Sequence, residues 1–259
     1  MLEKPITMSK IALITGATAG IGAACAHTFA QQGYHLILTG RREERLQRMA
    51  HDLNAKYAVD IKTLVFDIRD REELSYCLDT LPAEWKKVDV LINNAGLSQG
   101  LEPLQQGSLD DWDTMIDTNI KGLLYMSRKV SEWMTEQRKG HIINIGSIAG
   151  KEVYPNGNVY CATKHAVDAL NKAMRIDLLP HGIKVTAIHP GMVETEFSLV
   201  RFKGDEARAR KVYDGFEPLH AEDIAETIWF VVSRPAHVTI NDLLIMPTAQ
   251  ANATTVKRD

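Results

Sequence analysis

Short apolar segments rich in β-branched residues alternate with longer amphipathic segments, and this alternation constrains the fold more than any other feature. Seven segments predict β-strands: Ile11–Thr15, His35–Thr39, Thr63–Phe66, Val88–Ile92, His141–Ile145, Lys184–His189 and Asn241–Met246. Most of them are nearly continuously hydrophobic, which indicates strands that are buried on both faces, as in a parallel sheet covered by helices. Six intervening segments predict helices: Gly22–Gln32, Glu43–Lys56, Arg71–Thr80, Leu109–Gln137, Val159–Pro180 and Ala221–Ser233.

This order of strands and helices predicts an α/β fold, a single-domain Rossmann-like doubly wound parallel β-sheet with helices on both faces. A chain of 259 residues is long enough to bury a sizeable core without disulfides. We expect an N-terminal extension over residues 1–9, one catalytic domain over 10–247 and a loose C-terminal tail over 248–259.

Composition excludes several classes of partner. The formal net charge of −3 disfavours nucleic acid, which selects basic surfaces. The N-terminal residues do not read as a signal peptide, and no apolar run approaches the roughly 20 residues that span a bilayer. Cys25, Cys77 and Cys161 are far apart, as in proteins of reducing compartments. We therefore expect a cytoplasmic protein with no membrane partner, and the nine histidines show no H-E-x-x-H cluster that would predict a metal.

A glycine-rich segment, Thr15–Gly22, joins the first strand to the first helix with the spacing G-x-x-x-G-x-G. Glycines there allow a tight turn and a close approach of the backbone to a pyrophosphate, while the helix N-terminus supplies N–H groups and positive dipole. No Lys-Ser/Thr pair follows, which disfavours a nucleoside-triphosphate loop. The segment predicts a dinucleotide site, although a plain strand-to-helix turn has the same composition.

The end of the second strand indicates which dinucleotide is bound. Many dinucleotide folds carry an acidic residue there for the adenosine ribose, whereas this chain has Arg41 and Arg42. Guanidinium groups bind a 2′-phosphate that a carboxylate would repel. We expect NADP(H) as the cofactor. The alternative is that both arginines face solvent beside Glu43 and Glu44.

Three side chains predict acid–base chemistry. Tyr160 and Lys164 lie one turn apart on a predicted helix, and Ser147 follows the fifth strand at the sheet edge where ligands bind. A free phenol is a weak base at neutral pH, but a nearby ammonium and a positive nicotinamide favour its ionised form. Each residue alone also has a structural interpretation, as a helix-face pair or a turn cap.

Taken together, these motifs resemble the short-chain dehydrogenase/reductase family. The chain carries T-G-x-x-x-G-x-G at Thr15–Gly22, N-N-A-G at Asn93–Gly96 and the serine at Ser147. It also carries Y-x-x-x-K at Tyr160–Lys164 and the P-G turn at Pro190-Gly191. The resemblance runs from about residue 10 to residue 247.

The resemblance implies a role for each matching position. Tyr160 becomes the acid/base, Ser147 the partner of the substrate oxygen, Lys164 the ligand of the nicotinamide ribose, and Asn119 the holder of a water that relays protons. The implied cofactor-binding residues are Gly16, Thr18, Ala19, Gly20, Ile21, Gly22, Arg41, Arg42, Asp67, Ile68, Asn94, Ala95, Gly96, Tyr160, Lys164, Pro190, Gly191, Val193 and Thr195.

Five less general segments are similar to the NADP-dependent 3-hydroxy acid dehydrogenases: Thr39–Leu46, Leu81–Trp85, Met115–Leu123, Gly191–Gly204 and Pro235–Asn241. That subgroup includes serine/allo-threonine dehydrogenases and malonic semialdehyde reductases, is generally homotetrameric, and shares its pattern with sulfoacetaldehyde reductases. The resemblance implies a small anionic hydroxy or carbonyl substrate. A reductase of bulkier carbonyls, an epimerase or dehydratase, and an inactive dinucleotide-binding protein are the alternatives.

An anionic substrate requires a cation close to the acid–base pair. Arg201 follows the P-G turn in the segment expected to fold over the substrate, and a guanidinium there could bind a carboxylate or sulfonate. Tyr154 is a second candidate for the substrate pocket. A surface arginine in a Lys/Arg-rich segment is the alternative interpretation of Arg201.

Overall fold

The computed structural model describes residues 10–259, so the predicted extension over residues 1–9 lies outside the described part. It contains seven strands, all paired in parallel: β1 (Ile11–Ile14), β2 (His35–Gly40), β3 (Ile61–Val65), β4 (Val88–Asn93), β5 (Gly140–Ile145), β6 (Ile183–Pro190) and β7 (Asp242–Ile245). The strand order is β3-β2-β1-β4-β5-β6-β7. The predicted single-domain, doubly wound parallel sheet is confirmed, and each predicted strand is present.

Nine α-helices connect or follow these strands within the described residues: α1 (Gly20–Gln31), α2 (Glu43–Tyr57), α3 (Arg71–Asp79), α4 (Leu109–Ile116), α5 (Leu123–Gln137), α6 (Asn158–Leu178), α7 (Phe197–Arg201), α8 (Glu206–Lys211) and α9 (Ala221–Val232). The predicted helix over Leu109–Gln137 is a continuous helical stretch, but a π-helical turn at Asp117–Gly122 separates α4 from α5. Neither α7 nor α8 is predicted by the sequence pattern.

The core lies on both faces of the sheet because successive side chains of a strand point to opposite sides. Ile14 of β1 packs with α1, α2 and α9, while its neighbour Leu13 packs with α3 and α5. Both side chains are fully buried. The inner strands are therefore covered on both sides, as predicted, whereas the edge strands β3 and β7 are partly exposed.

The strand order reverses direction at β1. From β1 the chain winds outward through β2 and β3, then returns to β4 on the other side of β1 and winds outward again. The helices that follow β1 and β4 consequently leave on opposite faces, which opens a crevice at the carboxyl ends of the two strands. Open α/β sheets bind ligands at this switch point.

The C-terminal segment is not the loose tail that the sequence predicts. Gln250 is buried, and its side-chain oxygen accepts a hydrogen bond from the Met192 backbone N–H at 2.9 Å. The Asp259 backbone N–H donates to the Gly215 carbonyl, also at 2.9 Å. These contacts fasten the segment to the loop after β6 and to the chain after α8, which is long-range information that local composition does not carry. Among residues 10–259, no helix combines the length and apolar character needed to cross a bilayer.

Candidate active site

A cleft of about 350 Å³ opens at the carboxyl edge of the sheet, a volume typical of small-ligand sites. Its walls come from the segments that follow β1 to β6, so every strand up to β6 delivers residues to it. All residues that the resemblance assigns to the cofactor line this cleft, with the exception of Gly22. The fold thus brings together residues that are up to about 180 positions apart in the sequence.

The glycine-rich loop between β1 and α1 needs its glycines for different reasons. Gly16 and Gly20 have φ values of +65° and +51°, a region that disfavours residues with a Cβ. Gly22 does not line the cleft but packs closely against the loop, so that a Cβ there would collide with the carbonyl oxygen of Gly16. Ala19 precedes α1 and has no side chain that could accept hydrogen bonds from the first turn. The loop therefore exposes a helix N-terminus to the cleft, as an anion site requires.

The N-N-A-G segment at the end of β4 is hydrogen-bonded to the start of the glycine-rich loop. The Thr15 hydroxyl accepts hydrogen bonds from the backbone N–H groups of Asn94 and Ala95, both at 2.9 Å. The Asn94 side-chain amide donates to the carbonyls of Thr15 at 2.9 Å and Gly16 at 3.2 Å. The Asn94 side chain thus holds the cleft in shape as well as lining it.

Arg42 lies at the cleft and does not simply face solvent. Its Nε and Nη2 donate to the Thr18 hydroxyl at 3.1 and 2.8 Å, and its Nη1 contacts a carboxylate oxygen of Glu196 at 2.8 Å. Arg45 contacts the other oxygen of Glu196 at 2.7 Å. Two guanidinium groups therefore share one carboxylate at the edge of the cleft, which leaves a local excess of positive charge.

Arg41 is more exposed and has a longer contact. Its Nη1 lies 3.7 Å from a carboxylate oxygen of Asp67, which Arg69 contacts more closely at 2.7 Å. The hydrogen bond from Arg69 is the main reason why the pKa of Asp67 is lowered, although partial burial opposes it. Arg41 therefore shares its only described carboxylate partner with a second arginine.

Tyr160, Ser147 and Lys164 converge at the inner end of the cleft. Ser147 lies two residues beyond the end of β5. Its hydroxyl accepts a hydrogen bond from the Ala149 backbone N–H at 3.1 Å. Tyr160 and Lys164 lie one turn apart on α6, and both are buried. The Lys164 ammonium donates to the Ile145 carbonyl at 2.9 Å. All three side chains line the same cleft, as the motif spacing predicts.

The electrostatics of these groups differ in one respect from the expectation. Burial raises the pKa of Tyr160, while the positive charge of Arg201 and a hydrogen bond with Ser147 lower it. Lys164 was expected to supply the lowering charge, but its ammonium is directed to the Ile145 carbonyl, and burial lowers its own pKa to about 8. The charge that acts on Tyr160 in this structure therefore comes from Arg201.

Asn119 lies in the π-helical turn between α4 and α5. Its side-chain oxygen accepts from the Leu97 N–H at 2.9 Å, and its amide donates to the Leu97 carbonyl at 2.8 Å and to the Thr163 hydroxyl at 3.0 Å. A Cβ on Gly96 would lie 3.2 Å from the Asn119 oxygen and 3.5 Å from the Lys164 nitrogen. Asn119 and Lys164 thus approach the same point, while the predicted water relay stays a prediction.

Arg201 and Tyr154 lie beside Tyr160 without lining the main cleft. Arg201 Nη2 donates to the Tyr154 hydroxyl at 3.0 Å, and the guanidinium lies over the rings of Tyr160 and Phe197, at 5.2 and 5.0 Å from their centres. The Nε of Arg201 is buried and has no hydrogen-bond partner among the described residues. Tyr154 and Tyr160 together border a second, much smaller pocket. Arg201 therefore lies next to Tyr160, and its role in binding the substrate stays a prediction.

A partly buried ionic cluster lies behind Ser147. Asp168, His189 and Asp242 have ligand-type atoms within 4.8 Å of one another, an arrangement that could hold a cation. The Lys151 ammonium already lies 2.9 Å from Asp168 and 2.7 Å from Asp242, so a positive charge is present between the two carboxylates. His189 Nδ1 lies 3.2 Å from the Ser147 carbonyl oxygen. The prediction that the protein uses no metal stays a prediction.

Several residues that line the cleft were not predicted. They are Thr39, Gly40, Phe66, Leu97, Thr118, Ile145, Gly146, Glu196, Phe197 and Val200. Five of them, Phe66, Leu97, Ile145, Phe197 and Val200, contribute apolar side chains, which have no chemistry that a motif could reveal. Glu196 is different, because it pairs with Arg42 across the cleft. Its only sequence signal is its position after the P-G turn, in the segment expected to cover the substrate.

Comparison with known proteins identifies the chain. The model of the short chain dehydrogenase family matches residues 10–205. The chain belongs to the short-chain dehydrogenase family. The chain is 48% identical to the NADP-dependent 3-hydroxy acid dehydrogenase YdfG of Salmonella typhi, over 94% of this chain and 97% of that protein. It is 47% identical to sulfoacetaldehyde reductase 2 of Chromohalobacter salexigens, over 97% of this chain and 100% of that protein.

A solved structure supports the same assignment. The closed form of serine dehydrogenase complexed with NADP+ superposes with a TM-score of 0.89 at 48% identity, covering 96% of this chain and 100% of that chain. The predicted membership of the short-chain dehydrogenases, and the similarity to the 3-hydroxy acid dehydrogenase subgroup, are confirmed.

The cleft of this short-chain dehydrogenase fits the dinucleotide that such folds bind. Gly16 and Gly20 remove side chains where a pyrophosphate would approach, and the N-terminus of α1 faces the same space. The donors of Arg42 and Thr18 lie at the far edge, where an adenosine phosphate would be held. The Lys164 ammonium lies at the opposite, inner end. The residues present can therefore bind both ends of an NADP molecule.

Proposed function

We propose that the protein is an NADP(H)-dependent oxidoreductase that interconverts a small 3-hydroxy acid and the matching carbonyl compound. The observation that carries the substrate assignment is Arg201, a half-buried cation beside Tyr160 that pairs with no carboxylate of the described chain. An apolar substrate would leave this buried donor unsatisfied, which is costly. The activities of the relatives, a 3-hydroxy acid dehydrogenase and a serine dehydrogenase among them, support the same substrate class.

We assign the cofactor to the cleft residues named above. The α1 N-terminus and its glycines bind the pyrophosphate, and Arg41 and Arg42 bind the 2′-phosphate. Gly22 contributes by permitting the close packing of the loop, because its own position lies outside the cleft lining. When bound there, the cofactor would supply the hydride-transfer chemistry of the reaction.

The chain itself controls the proton. The Ser147 hydroxyl orients the reacting oxygen of the substrate, and Tyr160 accepts the hydroxyl proton in oxidation or donates it in reduction. Burial raises the pKa of the phenol, so Tyr160 starts as a proton donor, which suits reduction. Lys164 binds the nicotinamide ribose, and Asn119 holds a water between Lys164 and solvent.

Arg201 binds the anionic end of the substrate, with Tyr154 holding the guanidinium in place. A carboxylate and a sulfonate both accept paired N–H donors from a guanidinium. Reduction of sulfoacetaldehyde is therefore the second candidate function, favoured by the 47% identity to a sulfoacetaldehyde reductase over almost the whole chain.

A panel of substrates tests the proposal. NADPH oxidation is followed with malonic semialdehyde and sulfoacetaldehyde, and NADP+ reduction with serine, allo-threonine and 3-hydroxypropionate. We expect one of these small anions to be turned over, and the Tyr160→Phe variant to lose turnover while it still binds NADPH. Activity only towards large uncharged carbonyl compounds, or full activity of Tyr160→Phe, would contradict the proposal.

We also propose a homotetramer in the cytoplasm. The assembly rests on the resemblance to the subgroup, and the reducing compartment is supported by Cys25, Cys77 and Cys161, all of which are free thiols. Sedimentation equilibrium of the purified protein would give the mass of the assembly, and a mass near that of one chain would refute the tetramer.

A further inference from the structure

The guanidinium of Arg201 is held by aromatic groups instead of acidic ones. It lies over the rings of Tyr160 and Phe197, and its Nη2 donates to the Tyr154 hydroxyl. The rings of Tyr160 and Phe197 also contact each other, with their centres 5.6 Å apart. Arg201 comes from the end of α7, and its backbone carbonyl accepts from the Gly100 N–H at 3.1 Å. The cation is therefore fixed next to Tyr160 from several directions.

The charge of Arg201 is not cancelled within the described part of the chain. No carboxylate there forms an ion pair with it, whereas most other arginines near the cleft have one. The titratable groups that face the Tyr160 phenol are Arg201 from α7, Cys161 and Lys164 from α6, and Tyr154 from the loop before α6. Of these, Lys164 is directed to a backbone carbonyl, and the thiol and second phenol are neutral when protonated. Neither Lys164 nor Arg201 has an acidic partner among the described residues, and Arg201 is the charge that acts most strongly on Tyr160.

A cation at this distance has a large effect on the phenol. Two unit charges about 5 Å apart at an effective dielectric of about 20 shift a pKa by about two units. The stacked geometry adds to the attraction, because a ring face attracts a cation and a phenolate attracts it more strongly. Burial of Tyr160 raises its pKa, and the Arg201 charge is the largest opposing cause. The geometry and the electrostatics therefore assign the same partner to Tyr160.

We propose that Arg201 stabilises the Tyr160 phenolate, and that an anionic substrate weakens this stabilisation when it binds Arg201. The second half rests on the proposed function, while the first half does not. Substrate charge and proton transfer are thereby coupled through a single guanidinium. Before the anion binds, the charge of Arg201 offsets part of the effect of burial, so the base form of Tyr160 is easier to reach. Once the anion neutralises Arg201, the site favours the phenol, which is the form that donates a proton to a carbonyl.

The first half is tested by the ionisation of Tyr160 in the protein labelled with [¹³Cζ]tyrosine. The complex with NADP+ is titrated by NMR, because the positive nicotinamide brings the phenol into an accessible pH range. Signals are assigned with Tyr160→Phe. We expect Arg201→Met to raise the Tyr160 pKa by about one to two units, and Arg201→Lys, which keeps a positive charge while its ammonium is protonated, to raise it less. Arg208→Met is the matched control, since Arg208 lies over Phe202 in a similar surface pair and does not contact Tyr160.

The second half is tested by the pH dependence of oxidation with 3-hydroxypropionate and with its neutral methyl ester, at saturating NADP+. The profile of kcat/KM reports the group before substrate binds, and that of kcat reports it in the complex. With the anion we expect the kcat pKa to exceed the kcat/KM pKa by about one unit. With the ester, and with Arg201→Met, we expect the two pKa values to coincide.

Different results overturn different statements. An unchanged Tyr160 titration in both Arg201→Met and Arg201→Lys, with both variants folded and binding NADPH, would overturn the inference even if the substrate KM rises. An equal shift in Arg208→Met would also overturn it. A shifted titration without turnover of any small anion would contradict the proposed function and the coupling, but it would support the action of Arg201 on Tyr160.

Discussion

The buried ammonium of Lys164 imposes a cost on the fold that its removal should reveal. Burial lowers the pKa of Lys164 from 10.5 to about 8. A difference of this size corresponds to about 3 kcal/mol of folding free energy lost at neutral pH. In the Lys164→Met variant this cost disappears, but the Ile145 carbonyl loses its hydrogen-bond donor, which costs about 1–2 kcal/mol. We expect a net stabilisation of about 1–2 kcal/mol at pH 7, with activity lost.

The sign of the pH dependence follows from the lowered pKa. Between pH 8 and pH 10.5 the unfolded chain binds more protons at Lys164 than the folded chain does. The stability of the wild type therefore rises with pH across this window. The full cost of burying the ammonium is present only below about pH 8. The advantage of Lys164→Met should shrink by about 2 kcal/mol between pH 7 and pH 9.5. At the higher pH the variant should be as stable as the wild type or slightly less stable.

The measurement is urea unfolding of both proteins without nucleotide, at pH 7 and pH 9.5, with NADPH binding as a test of the native fold. Lys211→Met, which removes an exposed lysine of α8, is the control and should show no such pH-dependent gap. If Lys164→Met is less stable than the wild type at pH 7, or if the gap is the same at both pH values, the ammonium is not buried at a cost and the reasoning fails.

Two further substitutions probe the cofactor cleft. Gly22→Ala should weaken NADPH binding at least tenfold, because its Cβ would collide with the Gly16 carbonyl. Gly33→Ala is the control: it has open space around it but a φ of +78°, so it should destabilise the fold by about 1–2 kcal/mol and leave NADPH affinity unchanged. Equal NADPH affinities of the two variants in isothermal titration would contradict this. Arg42→Ala should weaken NADPH more than tenfold and NADH little, because its Nη and Nε donors lie at the site assigned to the 2′-phosphate. An unchanged NADPH/NADH ratio of dissociation constants would remove the assignment.

The sequence predicts the sheet and the catalytic edge well because both depend on local patterns. The inner strands are mostly apolar, and their burial on both faces follows from that composition, whereas the edge strands β3 and β7 are partly exposed. The glycines of the first loop and the Tyr160–Lys164 spacing on α6 are equally local. Once the strand order is known, the carboxyl ends of the strands must bring these motifs together. The distances between these side chains are what the structure adds to the sequence prediction.

The features that sequence missed depend on contacts between distant segments. The π-helical turn at Asp117–Gly122 has an ordinary amphipathic pattern, and only the contacts of Asn119 with Leu97 and Thr163 show what it positions. The short helices α7 and α8 are too brief for periodicity to distinguish them from a loop. The role of Glu196 depends on Arg42, which is 154 positions away.

The two cations near Tyr160, Lys164 and Arg201, have different roles because their acid–base chemistry differs. The Lys164 ammonium has a pKa of about 8 in the structure, so its charge can be lost near physiological pH, and its hydrogen bonds orient what it contacts. A guanidinium keeps its charge throughout the pH range in which proteins are folded. Arg201 can therefore act on the phenol as a constant field that only a bound anion removes, whereas Lys164 can exchange a proton with a relay. Replacing Arg201 by lysine would blur this distinction, because a buried ammonium in the same aromatic surroundings would itself titrate.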